Sequence, residues 1–403
     1  MKRMCSSTSD IISDLPGNIL EKILVLMPIR DAVRTSVLSK KWRYNWRTIP
    51  DLVFDDKSLV DPYPILFRQG FPPDQLSTKN RFLASIYHVL LLHRGAILKF
   101  ILSISKLESC SEIDTLITIV SSSGIQELTL KIWKGNPHKL PQSLFSCQQL
   151  THLNLEYCVF RPPTTFKGFN RVVCLELFEV IITVDAFQTL VSSCPLLEQL
   201  KFESSACFDY IGIDASNLKV LSLTGFFKSL CVKNAHHLVN FSLHSKAFKH
   251  RLEYQDGLEW AGLLDGLPVL ENLRCLLKKR LLTLRHLNAL ELSSVDLGSA
   301  KSTSGSEEAT VKACEENMGS SKFFLKHLRE VEMHLVSGTP VELQFMKLLL
   351  ATSPILEIMV VKPHPVKVSD GGLRILKELS QFQRLSPKAK IKYKDPNERN
   401  LQV

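Results

Sequence analysis

The chain has 403 residues, of which 45% are hydrophobic and 22% charged, so it can build a small domain and a larger body with its own core. Its net charge of +10 lies mainly at the two ends: residues 1–60 carry 10 Lys and Arg against 7 Asp and Glu, and residues 340–403 carry 11 against 6. The body between them, with 29 against 27, is nearly neutral. Because binding to a nucleic-acid backbone requires a basic stripe, the composition argues against a nucleic-acid partner.

The first predicted elements are three short helices between Asp14 and Trp46. The first helix ends at Pro28, and its apolar residues at helical spacing are Leu15, Ile19, Leu20, Ile23, Leu24 and Met27. The second is outlined by Ile29, Ala32, Val33, Ser36 and Val37. Ser39 is predicted to cap a third helix, on which Trp42 and Trp46 lie one turn apart. Helices this short carry more apolar surface than they can bury among themselves, which indicates a partner protein.

Beyond residue 95 the pattern Leu-x-x-Leu-x-Leu recurs eleven times, with other apolar residues replacing some leucines. The middle positions of the units are Phe100, Leu128, Leu153, Leu175, Leu200, Leu221, Phe241, Leu273, Leu290, Val331 and Met359. The first seven are separated by 28, 25, 22, 25, 21 and 20 residues, which is the period of leucine-rich repeats with one strand each and a variable return segment. The later spacings are less regular, which predicts insertions there.

Alternation along each predicted strand turns the leucines inward and the residues between them to the outer, concave face of the sheet. The charged outer positions are mixed and slightly acidic, which favours a protein partner with some basic character. Phe178 is apolar yet outward, so it either anchors that partner or packs under a neighbouring loop. The predicted substrate-binding residues are Glu156, Glu176, Phe178, Lys201 and Glu203.

Three segments flank or interrupt the repeats. Residues 56–95, which contain several prolines, are predicted to be a linker and lead-in segment. Residues 298–321 are rich in Ser, Gly and Glu and are predicted to be a mobile insertion. Residues 340–394 are predicted to form a strand, a helix and a last strand from Ala389 to Tyr393, which would cap the open end of the repeat array.

The N-terminal segment resembles the F-box. The spacing of that family is matched by Leu15-Pro16, Ile23-Leu24, Met27-Pro28 and the run from Val37 to Arg43. Asn45 departs from that pattern, since an apolar residue is more usual there. The resemblance implies that residues 10–55 dock onto a Skp-family adaptor, which in turn sits on a cullin scaffold. The residues implied to bind the adaptor are Leu15, Pro16, Ile19, Leu20, Ile23, Leu24, Met27, Pro28, Val33, Val37, Leu38, Trp42 and Arg43.

Two further stretches resemble plant F-box/FBD/leucine-rich repeat proteins. One runs from Leu140 through Cys158 to the Phe166-Lys167-Gly168-Phe169 motif, and the other runs from Glu342 to Glu357 and continues from Ile375. The resemblance implies an α/β chain in which an all-α F-box (10–55) precedes a leucine-rich repeat solenoid (96–339). An FBD-type α/β cap (340–394) would then close the solenoid.

Motifs of catalysis and metal binding are missing from the sequence, which has no Gly-rich phosphate loop, HExxH or paired Cys/His ligand set. His236 and His237 are adjacent and cannot face one site from a strand, so a surface pair is expected. Cys194 is expected to be buried rather than reactive. No enzyme activity, cofactor or metal is therefore predicted.

The sequence also bears on the compartment. The most apolar region, residues 87–105, is interrupted by two histidines, Arg94 and Lys99, which argues against a membrane span. The ten cysteines contain no Cys-x-x-Cys pair, and residues 1–9 lack an apolar stretch of signal-peptide type. These features predict reduced thiols and a cytoplasmic or nuclear location, or both.

The predicted function is substrate recognition in an SCF-type (Skp–cullin–F-box) ubiquitin ligase, in which the F-box binds the adaptor and the repeats bind the protein to be ubiquitinated. Catalysis then belongs to other subunits. The alternative is a leucine-rich repeat interaction protein that binds a partner without directing it to degradation. The two hypotheses differ in whether the F-box engages a Skp-family adaptor.

Overall fold

A computed structural model describes residues 15–40, 42–56, 78–105, 107–245, 270–277, 287–295, 325–365, 368 and 372–394. The chain divides into two compact units, Met1–Leu196 and Leu197–Val403. The predicted mobile insertion at 298–321 lies outside the described residues, as does most of the predicted linker's proline-containing part.

The first unit begins with two short α-helices, α1 (Gly17–Val25) and α2 (Ile29–Arg34). A proline precedes each helix, and its carbonyl oxygen accepts the first backbone hydrogen bonds: Pro16 from Ile19 and Leu20, and Pro28 from Asp31 and Ala32. Proline suits this place because its missing N–H would be unpaired in the first turn. A 3-10 turn, Thr35–Val37, follows α2 directly.

The third helix predicted from Ser39 is not formed. The chain makes turns after Leu38 and then a 3-10 helix at Asn45–Thr48. Trp42 and Trp46 are nevertheless both buried. Burial of the two large rings overrides the helical periodicity between them, because tertiary packing outweighs local propensity in so short a segment.

The repeat part of the first unit alternates strands with helices or turns. Its elements are β1 (Asp51–Asp55), α3 (Thr78–Leu92), β2 (Lys99–Ser103), α4 (Ser111–Ser121), β3 (Glu127–Lys131), β4 (His138–Lys139), a 3-10 helix (Gln142–Ser146), β5 (His152–Glu156), β6 (Cys158–Val159), β7 (Cys174–Phe178) and α5 (Val184–Ser192). Strands β1, β2, β3, β5 and β7 pair in that order, all parallel, and β4 pairs with β6. Parallel pairing follows from the crossover segment between successive strands.

Two of these elements lie in segments that were predicted to belong to the F-box or to the linker. Strand β1 lies within the segment assigned to the F-box, yet it pairs with β2 and so begins the repeat sheet. Helix α3 occupies part of the segment predicted to be linker, residues 56–95. Its apolar residues include Ile86 and Leu90, both of which are buried. Hydrophobic burial therefore makes this lead-in segment part of the folded unit.

The second unit contains eight parallel strands and two helices among the described residues. Its elements are β8 (Gln199–Asp214), β9 (Val220–Lys233), β10 (Asn240–Ser245), β11 (Asn272–Leu277), β12 (Ala289–Val295), β13 (Glu330–Val336), α6 (Pro340–Thr352), β14 (Ile358–Pro363), α7 (Leu373–Gln381) and β15 (Lys390–Tyr393). The strands pair in chain order from β8 to β15. The last strand confirms the strand predicted from Ala389, one residue shorter.

The core of both units is built from the repeat pattern. Strands β2, β3 and β7 each alternate half-buried and buried residues, as a sheet with one covered face requires. The three inward positions of nearly every predicted repeat are buried, as at Leu150, Leu153 and Leu155. The side chain of Cys275, an inward position of β11, is outside the described part of the structure. The period-2 interpretation of these strands is thus confirmed.

An aromatic cluster in the first unit joins the segments that precede and follow β5. Phe166 lies 5.4 Å from Phe145 and 5.0 Å from Phe169, measured between ring centroids, and both contacts are edge-to-face. Between Phe166 and Phe169 the backbone passes very close to Ser193 at Gly168, whose φ is +90°. A side chain at this position would collide with Ser193, so glycine is required for the approach.

Candidate protein-interaction surfaces

The residues predicted to bind an adaptor fall into two groups by burial. Leu20, Leu24, Val33 and Trp42 are buried within the chain and form the core of the helical module, residues 15–49. They hold the module together, and an external protein cannot reach them directly. The helical spacing that grouped them with their neighbours does not distinguish the inner side of the helix from the outer side.

The other predicted residues lie at the surface of the helical module. Those classed as exposed are Pro16, Ile19, Ile23, Pro28, Val37, Leu38 and Arg43, and Leu15 and Met27 are half-buried. Leu38 is 67% exposed, and Val37 beside it is 59% exposed. The surface of this small module therefore carries several exposed aliphatic side chains.

Three exposed apolar residues of the module are not among the predicted adaptor-binding residues: Val25, Leu26 and Tyr44. Leu26 is 87% exposed, and it lies three residues after Ile23 and seven after Ile19. This i, i+4, i+7 spacing of Ile19, Ile23 and Leu26 is the signal that could have identified it, because such residues share one side of a helix. The Arg47 guanidinium lies 4.2 Å from the centroid of the Tyr44 ring, which orients that ring at the surface.

The predicted substrate-binding residues of the first unit lie on the outward face of neighbouring strands. Glu156 on β5 forms an ion pair with Lys131 on β3, with 3.5 Å between Nζ and Oε2. Glu176 on β7 accepts a hydrogen bond of 2.6 Å from the Asn154 amide. Phe178 is paired with Glu156 in the strand register and is half-buried. The outward alternation assigned to these three positions is confirmed.

Lys201 and Glu203, the remaining predicted substrate-binding residues, belong to the second unit. They alternate with buried residues on β8, and both are half-buried. In the register they lie opposite Ser222 and Thr224 of β9. Their register neighbours on β9 are thus small hydroxyl side chains.

A polar network on β12, β13 and β14 of the second unit was not predicted as a site. The His334 Nε2 atom lies 3.3 Å from Oε1 of both Glu291 and Glu332. The Lys362 ammonium lies 2.9 Å from the same Glu332 oxygen, and that of Lys394 lies 4.0 Å from it. Glu291, Glu332 and His334 could each offer one ligand atom to a metal. The two lysines already compensate the charge of Glu332 and would repel a metal cation there.

A buried histidine in the first unit lies between a hydroxyl and a carboxylate. His138 is 2% exposed, with Nδ1 3.0 Å from Ser109 Oγ and Nε2 3.1 Å from Asp114 Oδ1. Burial lowers the pKa of His138, and the Asp114 carboxylate partly offsets this effect. A histidine that acts as a general base must be accessible to a substrate, and this enclosed imidazole is not. The trio instead ties β4 to α4 and the loop before it.

Two cysteines of the described chain, Cys158 and Cys194, behave as buried apolar residues. Cys194 is 2% exposed, and burial raises its pKa to about 11. Burial raises the pKa of Cys158 to about 12. Because the thiolate is the reactive form, neither residue is reactive near neutral pH. The expectation that Cys194 is buried is confirmed, and His236 and His237 are both exposed in the turn before β10, as expected for a surface pair.

None of the helices in the described ranges combines the length and the apolar character needed to cross a membrane. The apolar stretch between residues 87 and 105 is divided between the end of α3, a connecting segment and β2. Its apolar residues are used in two separate elements of the first unit.

Comparison with known proteins agrees with this architecture. The F-box domain family matches residues 12–53, and the family described as "FBD-associated F-box protein At5g56370, LRR repeats" matches residues 113–261. The Arabidopsis thaliana F-box/FBD/LRR-repeat protein At1g13570 is 34% identical over 421 aligned positions, which cover 95% of this chain and 98% of that protein. The FBD-associated F-box protein At5g56370, also from Arabidopsis thaliana, is 34% identical over 200 positions, which cover 47% of this chain and 42% of that protein.

A helical module with an exposed aliphatic side, followed by parallel repeat strands, defines an F-box protein with leucine-rich repeats. The chain belongs to the F-box/FBD/LRR-repeat family, since its likeness to a plant member extends over nearly the whole length of both proteins. The family names are those of adaptor-type F-box proteins, and the relatives named here are from a plant.

Proposed function

We propose that this protein is the substrate-recognition subunit of an SCF-type ubiquitin ligase in the cytosol or nucleus. Its helical module binds a Skp-family adaptor held by a cullin scaffold, and its strand faces bind the protein to be ubiquitinated. The chain itself contributes proximity, because a bound substrate has a high effective concentration at the site of ubiquitin transfer. Residues 340–394 act as the FBD-type cap of the repeats in this proposal.

The observation that carries the proposal is the aliphatic surface of the helical module. Leu26 and Leu38 are 87% and 67% exposed, and Ile19, Ile23 and Val37 lie near them in sequence. Exposed aliphatic side chains grouped in this way are typical of the buried core of protein–protein interfaces. Removing such side chains from water would stabilise a complex with an adaptor that has a complementary apolar groove.

Charge introduction at this surface tests adaptor binding. We expect Leu26→Glu and Leu38→Glu each to weaken binding to a Skp-family adaptor by at least about tenfold, since a carboxylate would be buried without a partner. The matched control is Leu91→Glu on α3, a leucine that is 76% exposed and lies outside the helical module. Affinity is measured by titrating the purified adaptor against each full-length variant.

The control makes the outcome decisive. Equal loss in Leu91→Glu would indicate that any exposed charge disturbs the protein, and unchanged binding in both Leu26→Glu and Leu38→Glu would show that this surface is not the adaptor site. If wild-type protein bound no Skp-family adaptor at all, the alternative of a repeat protein that does not direct degradation would replace this proposal.

The substrate-binding role of the first unit's strand face is tested separately. We expect the triple variant Glu156→Lys, Glu176→Lys, Phe178→Ala to lose most of the protein captured when the proteasome is blocked, while adaptor binding is unchanged. The reason is that both carboxylates and the half-buried ring project from the outward face beside one another. Glu112→Lys combined with Asp185→Lys, on the helices of the same unit, is the control for charge. Full capture by the triple variant would place substrate binding elsewhere.

A further inference from the structure

The outward face of the second unit contains a groove of about 460 Å³. It runs over strands β10 to β15, and its lining includes Asn240 and Asn272 at one end and Lys392 and Lys394 at the other. Ile358 and Val360, both on β14, lie between the acidic and basic parts of the lining. The groove therefore changes from amide to acidic to aliphatic to basic across the sheet.

Most charges of this face are already compensated by one another. Glu332 contacts Lys362 at 2.9 Å, and His334 lies between Glu332 and Glu291. Within the described part of the chain, Glu330 and Lys392 form no ion pair and no side-chain hydrogen bond. Both are exposed and line the groove, so they are the charges it has available for another molecule.

The strand register fixes the relation of these two charges. Glu330 pairs with Ile358 across β13 and β14, and Val360 pairs with Lys392 across β14 and β15. Glu330 and Lys392 are thus two strands apart and offset by two residues. With strands about 4.8 Å apart and a rise of about 3.3 Å per residue, their backbones are separated by about 12 Å. The aliphatic side chains of Ile358 and Val360 occupy the space between them.

We propose that this groove binds an extended protein segment with a basic side chain at position i, an apolar one at i+2 and an acidic one at i+4. In an extended chain these three side chains share one face, and the outer two are about 13 Å apart. The basic side chain then meets Glu330, the apolar one lies on Ile358 and Val360, and the acidic one meets Lys392. The opposite direction of binding places an acidic residue first and a basic one last.

The charge complementarity is specific to a segment with both signs of charge. A segment with two basic residues would place one of them against Lys392, and a segment with two acidic residues would place one against Glu330. Like charges placed against each other weaken binding, so the groove discriminates between partners. The inference depends on the proposed ligase function only in that the bound segment is then part of the substrate.

The test uses three labelled nine-residue peptides, GSKTVTESG, GSKTVTKSG and GSETVTESG, titrated with the full-length protein and followed by fluorescence anisotropy. We expect the mixed-charge peptide to bind roughly fivefold more tightly than either of the others, which is the scale of one exposed ion pair. Lys392→Glu should transfer the preference to the peptide with two lysines. Glu330→Lys should transfer it to the peptide with two glutamates.

A change of preference cannot result from misfolding, since each variant gains affinity for one peptide. The inference is overturned if the three peptides bind wild-type protein equally, or if the preferences of the two variants do not follow their charges. Adaptor binding is measured in the same variants and should be unchanged. If the wild-type protein bound no adaptor, the ligase function would be rejected. The peptide preferences would still confirm or overturn the groove inference independently.

Discussion

The helical module and the repeat strands use their apolar residues in opposite ways. In the strands, inward residues such as Leu153 and Leu155 are fully enclosed, and the residues between them are polar or half-buried. In the helical module, Leu20 and Leu24 are enclosed, but Leu26 and Leu38 remain mostly in water. The module thus exposes side chains of the same type that the strands bury.

This difference follows from size and geometry. A sheet covered on one face by its return segments can enclose every second residue of each strand. A module of about 35 residues has too little volume to enclose both sides of its helices. Exposed aliphatic residues in the module are therefore a property of an incomplete structure, which a partner can complete, and the same exposure in the strands would indicate a defect.

The largest expected effect separates these two uses of leucine. Leu155→Ala should lower the free energy of unfolding by about 2–5 kcal/mol, because it leaves a cavity in a close-packed core. Leu38→Ala should change it by less than about 0.5 kcal/mol, since the side chain is largely in water already. Urea unfolding of the two variants, followed by circular dichroism, measures the difference. Similar losses in both would contradict the distinction between enclosed and solvent-exposed leucines.

A smaller effect is expected at Gly168, where the return segment approaches Ser193. Gly168→Ala should destabilise the first unit by about 1–3 kcal/mol, because φ is positive there and the new methyl group meets the Ser193 backbone and side chain. Gly17→Ala is the control, since a Cβ at Gly17 has no atom within 4 Å. Thermal unfolding of both variants checks this, and an equally mild effect at the two glycines would disagree with the close approach.

The repeat strands could be predicted from sequence because their signal is local. Each unit places apolar residues at three fixed positions, and the alternation forces those side chains to one face. Strand β1 shows the limit of this reasoning. Ile49, Leu52 and Phe54 have the same spacing and are buried, but α3 and its lead-in separate them from the next strand. The interval between the middle positions of these two strands, Leu52 and Phe100, is about twice the repeat period. The strand was therefore not recognised as a repeat, although its own apolar pattern is complete.

The helical module could be located from the sequence, but which of its apolar residues are exposed could not be predicted. Ile19 and Leu20 are adjacent, equally apolar and on the same short helix, yet Leu20 is enclosed and Ile19 is exposed. Helix α1 packs against the 3-10 helix at Asn45–Thr48, which contains the buried Trp46. The predicted third helix gave this segment a backbone different from the one it adopts. Tertiary packing, which has no local signature, determines the candidate site here.

The polar face of the second unit escaped prediction for a related reason. Glu330, Glu332 and Lys392 belong to segments far apart in sequence, and only the pairing of β13, β14 and β15 brings them into one groove. Strand alternation predicts that such residues point outward, but it does not predict which charges neutralise one another. Glu330 and Lys392 can be identified as the charges without an ion pair only after the ion pairs of the described residues are known.

The smallest expected effect concerns pH and the buried His138 in the repeat part. Burial lowers its pKa below the usual 6.5, with the charge of Asp114 acting in the opposite direction. Above pH 6.5 the imidazole is neutral in both the folded and the unfolded chain, so it contributes no pH dependence. Below that value the unfolded chain takes up the proton first, and stability falls as the pH decreases towards the folded-state pKa.

Replacing the imidazole by an amide should remove this contribution. We expect His138→Gln to lose less stability than wild type between about pH 7 and pH 5, although its stability at pH 7 is lower, because an amide cannot titrate. The melting temperature, measured across this range, gives the slope for each protein. His237→Gln, at an exposed position in a turn, is the control and should keep the wild-type slope. If His138→Gln and wild type had parallel slopes, the buried imidazole would not be the group that makes the repeat part acid-sensitive.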